Sequence, residues 1–285
     1  MEKVSKLLLG AHMSMIGGFY RAIERGESIG CTTIQIFTKN NRQWHAKPLQ
    51  NEEIELFKNK WKESSIQSII AHATYLINLG SPQKELEEKS IKAAINELER
   101  CNSLTISYLV LHPGSHTNTD ETESLKRIAR NLDFIFESAQ GDTSILLETM
   151  AGQGSSLCYS FEHIAEIIKL SKHKKRLGVC FDTCHAFAAG YDFRTKKDYI
   201  AMWKHFDDTI GLNKLHAIHI NDSKTDCGSR VDRHTDIGKG KLGLEAFRLL
   251  FNDKRFANIP KILETPYTTL DDYKRNMETI YSLIE

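Results

Sequence analysis

The chain has 285 residues, 40% of them hydrophobic, and a formal net charge of +1. That apolar content supplies one large core, the near-neutral balance argues against a generally basic surface, and no apolar run approaches the ~20 residues a membrane helix needs. The opening MEKVSKLLLG is charged and then briefly apolar; LLLG is too short for a secretory core and reads as part of a first strand. Cys31, Cys101, Cys158, Cys180, Cys184 and Cys227 lie mostly in or beside apolar runs, the pattern of reduced thiols in a cytoplasmic protein.

Eight runs rich in Ile, Leu and Val predict strands buried on both faces, at 6–11, 32–37, 68–72, 108–112, 144–148, 177–182, 215–220 and 261–264. Amphipathic stretches between them predict helices, clearest at 84–101, 121–139, 160–171 and 270–284, with Pro82 and Asp120 as start signals for two of them. The alternation predicts an α/β protein: one domain spanning 1–285, a single (β/α)8 TIM barrel with right-handed connections. The longest non-helical insertion, 221–242, follows the seventh strand, and loops of that length in compact domains usually carry function.

The strands share an ending. SIIAH ends at His72, YLVLH at His112, ILLE at Glu148, GVCFD at Asp182, LHAIH at His219 and KILE at Glu264. In a parallel barrel these six side chains meet at the carboxyl ends of the strands, where such barrels keep their chemistry. Buried acids and histidines cost several kcal/mol each unless paired or metal-bound, and grouped His, Asp and Glu suit divalent zinc, manganese or iron. Three further candidates lie in loops: His185, three residues after Asp182, and Asp232 with His234, which share one side of an extended segment. Nine ligands exceed the three or four that one zinc takes, so two or three ions are expected, an arrangement suited to in-line displacement at phosphorus.

Several blocks now make the chain recognisable: FTKNNRQW (37–44), AHATYLINLGSP (71–82), LHPGSH (111–116), LETMAGQGS (147–155), GVCFDTCHAFAAGYD (178–192), IHINDSKTDCGSRVDRHTDIGKGKLG (218–243) and ILET (262–265). With these, in order and over almost its whole length, the chain resembles the endonuclease IV family of zinc-dependent apurinic/apyrimidinic endonucleases. The resemblance implies a DNA-repair enzyme that cuts 5′ to an abasic site, leaving a 3′-hydroxyl and a 5′-deoxyribose phosphate, and that also processes blocked 3′ ends. It implies three zinc ions per chain, with manganese admissible at one position. His72, His112 and Glu148 would hold the first ion; Glu148, Asp182, His219 and Glu264 the second; His185, Asp232 and His234 the third. Glu148 and Glu264 would carry the catalytic weight, Glu264 by orienting or deprotonating the nucleophile.

By the same likeness Arg42, Gln43 and Tyr75 enter the minor groove of double-stranded DNA and fill the space at the lesion, while GQGS (152–155) and SKTDCGSR (223–230), with Lys224 and Arg230, touch phosphates. A planar cation and an aromatic ring can replace lost stacking, which agrees with these roles. Trp44 is expected to pack its loop onto the barrel rim, and His12 to support a ligand or the substrate side. Gly238-x-Gly240-x-x-Gly243 imitates a dinucleotide fingerprint outside the strand-to-helix turn that motif requires and is rejected as one. A monomer suffices for such an enzyme, and no membrane partner is expected. The rival reading is a metal-dependent sugar isomerase or epimerase on the same barrel, which needs fewer metals and has no use for the Asp232–His234 loop together with KNNRQW. A non-enzymatic binder of damaged DNA is the other alternative.

Overall fold

The computed structural model describes residues 7–285. Eight parallel strands close into a barrel: β1 (Leu9–His12), β2 (Thr33–Phe37), β3 (Ser68–His72), β4 (Tyr108–Leu111), β5 (Ser144–Glu148), β6 (Leu177–Asp182), β7 (Leu215–Ile220) and β10 (Lys261–Leu263). They pair in sequence order, with β10 closing between β7 and β1. Between β7 and β10 lies a two-stranded antiparallel ribbon, β8 (Asp222–Ser223) with β9 (His234–Thr235).

The helices are α1 (Phe19–Ser28), α2 (Asn51–Glu63), α3 (Lys84–Ser103), α4 (Glu121–Ser138), α5 (Phe161–Leu170), α6 (Thr183–Ala189), α7 (Lys196–Thr209), α8 (Gly243–Phe251) and α9 (Leu270–Tyr281). None among the described residues is long and apolar enough to cross a membrane. Asp120 caps α4 as expected, accepting the Glu123 amide at 2.9 Å. The alternation of one helix per strand is broken after β6, where α6 precedes α7 and stops at Gly190 in a left-handed conformation.

Two apolar layers hold the barrel. Ile70, Val110, Leu146, Cys180, Ala217 and Ile262 form one cluster across the strands, while a larger one packs the helices onto the sheet. Cys180 belongs to this packing, its thiol pushed up to about 12 by burial. All six cysteines are free. Strands β1 and β2 approach closely at Gly10, where a Cβ would lie 1.6 Å from the Thr33 carbonyl oxygen, so no other residue fits.

Two expected strands end one residue early. Strand β4 stops at Leu111 because Pro113, after His112, has no N–H to extend the ladder. Strand β10 stops at Leu263 because the Glu264 amide donates instead to Asn221 Oδ1, at 3.0 Å. The first strand runs from Leu9 to His12; Lys6, where it was expected to start, lies outside the described residues.

Candidate metal centre

Strand register sets the site. Asp182 pairs with His219 across β6 and β7, and His219 with Ile262 of β10, so adjacent strands deliver ligands at one level. His112 and Glu264 follow β4 and β10 by a single residue. Asp182 has two tasks. Its Oδ1 caps α6 by accepting the His185 amide at 2.7 Å, which brings His185 inward one turn later. Its Oδ2 accepts Asn221 Nδ2 at 2.7 Å. The β8–β9 ribbon folds the long insertion back so that Asp232 and His234 reach the same end of the barrel.

The nine side chains fall into three groups whose ligand atoms lie within 4.8 Å of one another: His72, His112 and Glu148; Glu148, Asp182, His219 and Glu264; and His185, Asp232 and His234. Glu148 joins the first two, with Oε2 at 3.2 Å from His72 Nε2 and 3.1 Å from His112 Nε2, and Oε1 at 3.2 Å from His219 Nδ1. Glu264 Oε2 is 3.2 Å from His219 Nδ1. His185 Nε2 and His234 Nε2 stand 3.2 and 3.3 Å from the two oxygens of Asp232. A fourth grouping, Asp182, Cys184 and His234, competes weakly. Burial pushes the Cys184 thiol up to about 12, and its Sγ is turned to the Arg233 carbonyl.

The imidazoles are oriented from behind. The Nδ1 atoms of His72, His185 and His234 face the carbonyl oxygens of Ala73, Thr149 and Glu264 at 2.7, 3.0 and 3.2 Å. A carbonyl only accepts, so each Nδ1 carries a proton and each Nε2 is the nitrogen left to face the carboxylates. For His219 the order is reversed through Gln35. The Gln35 amide donates to Glu264 Oε1 at 2.7 Å, so its oxygen faces His219 Nε2 at 2.8 Å and Nδ1 is the nitrogen turned to Glu148 and Glu264. The Nε2 atoms of His185 and His234 are buried without a hydrogen-bond partner. Buried imidazole nitrogens set against carboxylate oxygens fit a cation between them, and this nitrogen and oxygen set suits zinc.

Electrostatics agree. Burial opposes charge on each of these groups, and opposite charge outweighs it. Glu148 is held well below the usual carboxylate range by His112 and His219, and Glu264 by His219 and its bond to His12. Asp232 falls to about 2 beside His185 and His234. His185 is raised well above the ordinary imidazole value by Asp182, Asp232 and Glu148, and His219 by Glu264 and Glu148. A pocket that draws protons onto its imidazoles in this way favours divalent cations in their place.

Tyr75 is half exposed and stands beside the cluster, its ring centroid 5.2 Å from those of both His72 and His112. Arg42, Gln43 and Lys224 are exposed loop residues. Arg230, also exposed, lays its guanidinium over the Tyr159 ring at 4.5 Å. Trp44 packs against the core from the rim, and His12 lies 3.3 Å from Glu264 Oε1. A cavity of about 860 Å³ opens next to the ligands, lined in part by His12, Phe37, Tyr75, Glu264 and Tyr267.

Gln35, Asn221 and Asp222 escaped sequence reasoning. Asp222, fully buried, accepts the amides of Ser223, Gly238, Gly240 and Leu242 at 2.7–3.0 Å. The glycine-rich run therefore does wrap an anion, the chain's own carboxylate. A Cβ on Gly240 would come within 2.3 Å of Asp222 Oδ1. The available signal was IHIND: a polar pair directly after a strand whose last outward-facing residues are apolar.

Residues 23–283 match the family described as xylose isomerase-like TIM barrel. The chain is 48% identical over 278 residues to a Chloroflexus aurantiacus protein named "Probable endonuclease 4", covering 97% of this chain and 98% of that one. It is 46% identical over 278 residues to a Geobacter sulfurreducens protein of the same name, covering 97% and 94%. Among solved structures it resembles endonuclease IV from Thermus thermophilus, with TM-score 0.85 and 32% identity over 96% and 98% of the two chains. A D-tagatose 3-epimerase-like protein shares the fold, with TM-score 0.74 and 19% identity over 96% of each chain.

Proposed function

The chain belongs to the endonuclease IV family, and on that premise we propose that it is a DNA-repair endonuclease that hydrolyses the phosphodiester 5′ to abasic sites, leaving a 3′-hydroxyl and a 5′-deoxyribose phosphate. The same hydrolysis would clean blocked 3′ ends. Its partner is double-stranded DNA carrying the lesion, and it works as a cytoplasmic monomer. The observation that carries the reading is the partition of nine ligands into three groups, one of them built on the ribbon loop. A sugar epimerase shares the barrel but leaves the group of His185, Asp232 and His234 without a task.

The three groups would hold three zinc ions, with manganese admissible at one. Bound there, divalent cations supply positive charge and Lewis acidity for in-line hydrolysis at phosphorus. The protein's own part is positional. Glu148 spans two groups, one oxygen to each, and so fixes their spacing. Glu264 is pinned at Oε1 by Gln35 and keeps a partly open edge toward the cavity, where it can orient the attacking water and take its proton. Asp232, the most exposed of the ligands, leaves its group the most open to an approaching phosphate. The cavity beside Tyr75 accommodates an extruded sugar, and an abasic nucleotide, already unpaired, is the cheapest to extrude. Arg42, Gln43 and Tyr75 would fill the gap left in the duplex, with Lys224 and Arg230 on phosphates.

The test is a duplex carrying one abasic analogue beside the same duplex undamaged, incubated with zinc-loaded protein. A single break immediately 5′ to the lesion with a 3′-hydroxyl end is expected. An uncut lesion would remove the endonuclease reading and turn attention to sugar isomerisation.

A further inference from the structure

Two loops rise from the rim beside the ligands. Residues 38–47 follow β2 and carry Arg42 and Gln43; residues 73–77 follow β3 and carry Tyr75. They are joined at two levels. At the upper level Thr74 Oγ1 donates to the Asn41 carbonyl at 2.6 Å, a bond between the residue before Tyr75 and the residue before Arg42. At the lower level the buried carboxylate of Glu97, on α3, bonds both loops. Oε1 accepts the Thr74 amide at 3.2 Å and pairs with Lys39 Nζ at 3.5 Å, while Oε2 accepts the Thr38 hydroxyl. One helical turn on, Arg100 grips the same loop at both ends, donating to the Thr38 carbonyl at 2.5 and 2.8 Å and to the Lys47 carbonyl at 2.9 Å.

Glu97, Lys39, Thr38, Thr74 and Arg100 are all buried. A buried cluster of two cations and one carboxylate is a poor way to gain stability, since apolar side chains of the same volume usually do as well. What polar groups add is direction: each bond fixes one backbone atom of one loop relative to the other. Two independent exposed loops would each lose conformational freedom on entering a duplex; loops already fastened together lose less, and the saving appears as affinity.

We infer that Thr74 and Glu97 are positioning residues that fasten the Arg42–Gln43 loop and the Tyr75 loop into one preformed wedge, so that both enter a damaged duplex as a unit. The inference rests on the endonuclease reading.

The experiment compares wild type, Thr74→Val, Thr74→Ser and Glu97→Gln, all zinc-loaded, with three readouts. These are KM and kcat for nicking a tetrahydrofuran-containing duplex, the fluorescence rise of 2-aminopurine opposite the lesion on binding, and hydrolysis of bis(p-nitrophenyl) phosphate, which needs no wedge. T74V should raise KM about fivefold, the worth of one hydrogen bond, with kcat little changed. It should blunt the fluorescence rise and hydrolyse the small diester at the wild-type rate. T74S, which keeps the hydroxyl, should restore both DNA readouts. E97Q should give the same split more strongly, and it carries the test if T74V fails to fold. T74V equal to wild type in KM and fluorescence overturns the coupling, as does a parallel loss of small-diester hydrolysis. Wild-type protein that leaves the lesion uncut overturns the endonuclease reading, and the inference with it.

Discussion

His185 Nε2 and Asp232 Oδ2 lie 3.2 Å apart in a geometry that makes no hydrogen bond. With Nδ1 committed to the Thr149 carbonyl, Nε2 is the nitrogen left to face the carboxylate, an arrangement that a shared cation completes. The same holds for His234 Nε2, which is also buried and unpartnered. Removing divalent ions with a chelator should therefore abolish nicking and lower the melting temperature, and zinc should restore both. An unchanged melting temperature after verified metal loss would show that the groups are satisfied without ions.

Glu148 has no exposure and contacts imidazoles from β3, β7 and the loop after β4. Glu148→Ala and Glu264→Gln should each lower kcat at least about 100-fold, more than loss of a residue that merely supports a ligand costs, with the circular dichroism spectrum kept. Full turnover in either variant, measured on the abasic duplex, would defeat the assignment.

Gln35 fixes two ligands at once, the ring of His219 and the carboxylate of Glu264. Gln35→Ala should weaken zinc binding or turnover by about 10- to 100-fold. Competition with a chromogenic chelator measures the first directly, and affinity equal to wild type with equal turnover would mean that the two ligands hold themselves in place.

Asp222 gathers four amides of the loop that delivers Asp232 and His234. Asp222→Ala should cost roughly 2–4 kcal/mol, since buried amides are left unpaired. Amide exchange at Gly238 and Gly240 should accelerate well beyond that elsewhere in the barrel. Exchange unchanged at those two positions would show the loop is held by other contacts.

Lys261 is buried, and its Nζ donates to the Phe256 and Ile259 carbonyls at 2.5 and 3.0 Å. Burial pulls its pKa from 10.5 to about 8, against the opposing pull of Asp253. Between these values the unfolded chain binds more protons than the folded one, so stability rises with pH through that window, and below about 8 the full penalty remains. The total is about 3 kcal/mol. Lys261→Met removes this slope: the wild type should gain on the variant from pH 8 to 10 in denaturant melts, and parallel curves would show the amine is not the source.

Much of this protein can be read in its strings of residues. The eight apolar runs mark the strands to within three residues at each end, because strands buried on both faces need uninterrupted Ile, Leu and Val. The nine His, Asp and Glu candidates also stand out locally, since a polar residue closing such a run is costly without a partner. The resemblance implied how those nine divide; the physical reason for the division lies in the tertiary structure alone. Glu148 belongs to two groups, and Asp182 splits its oxygens between a helix cap and Asn221, only because register sets particular strands side by side. The supports are likewise invisible along the chain. Gln35 lies 184 residues from His219 and 229 from Glu264, and Thr74 lies 33 from Asn41. A local pattern records what a residue is and which face it occupies. Whom it meets across the barrel depends on closure of the whole sheet, and the orientation of every ligand follows from that closure.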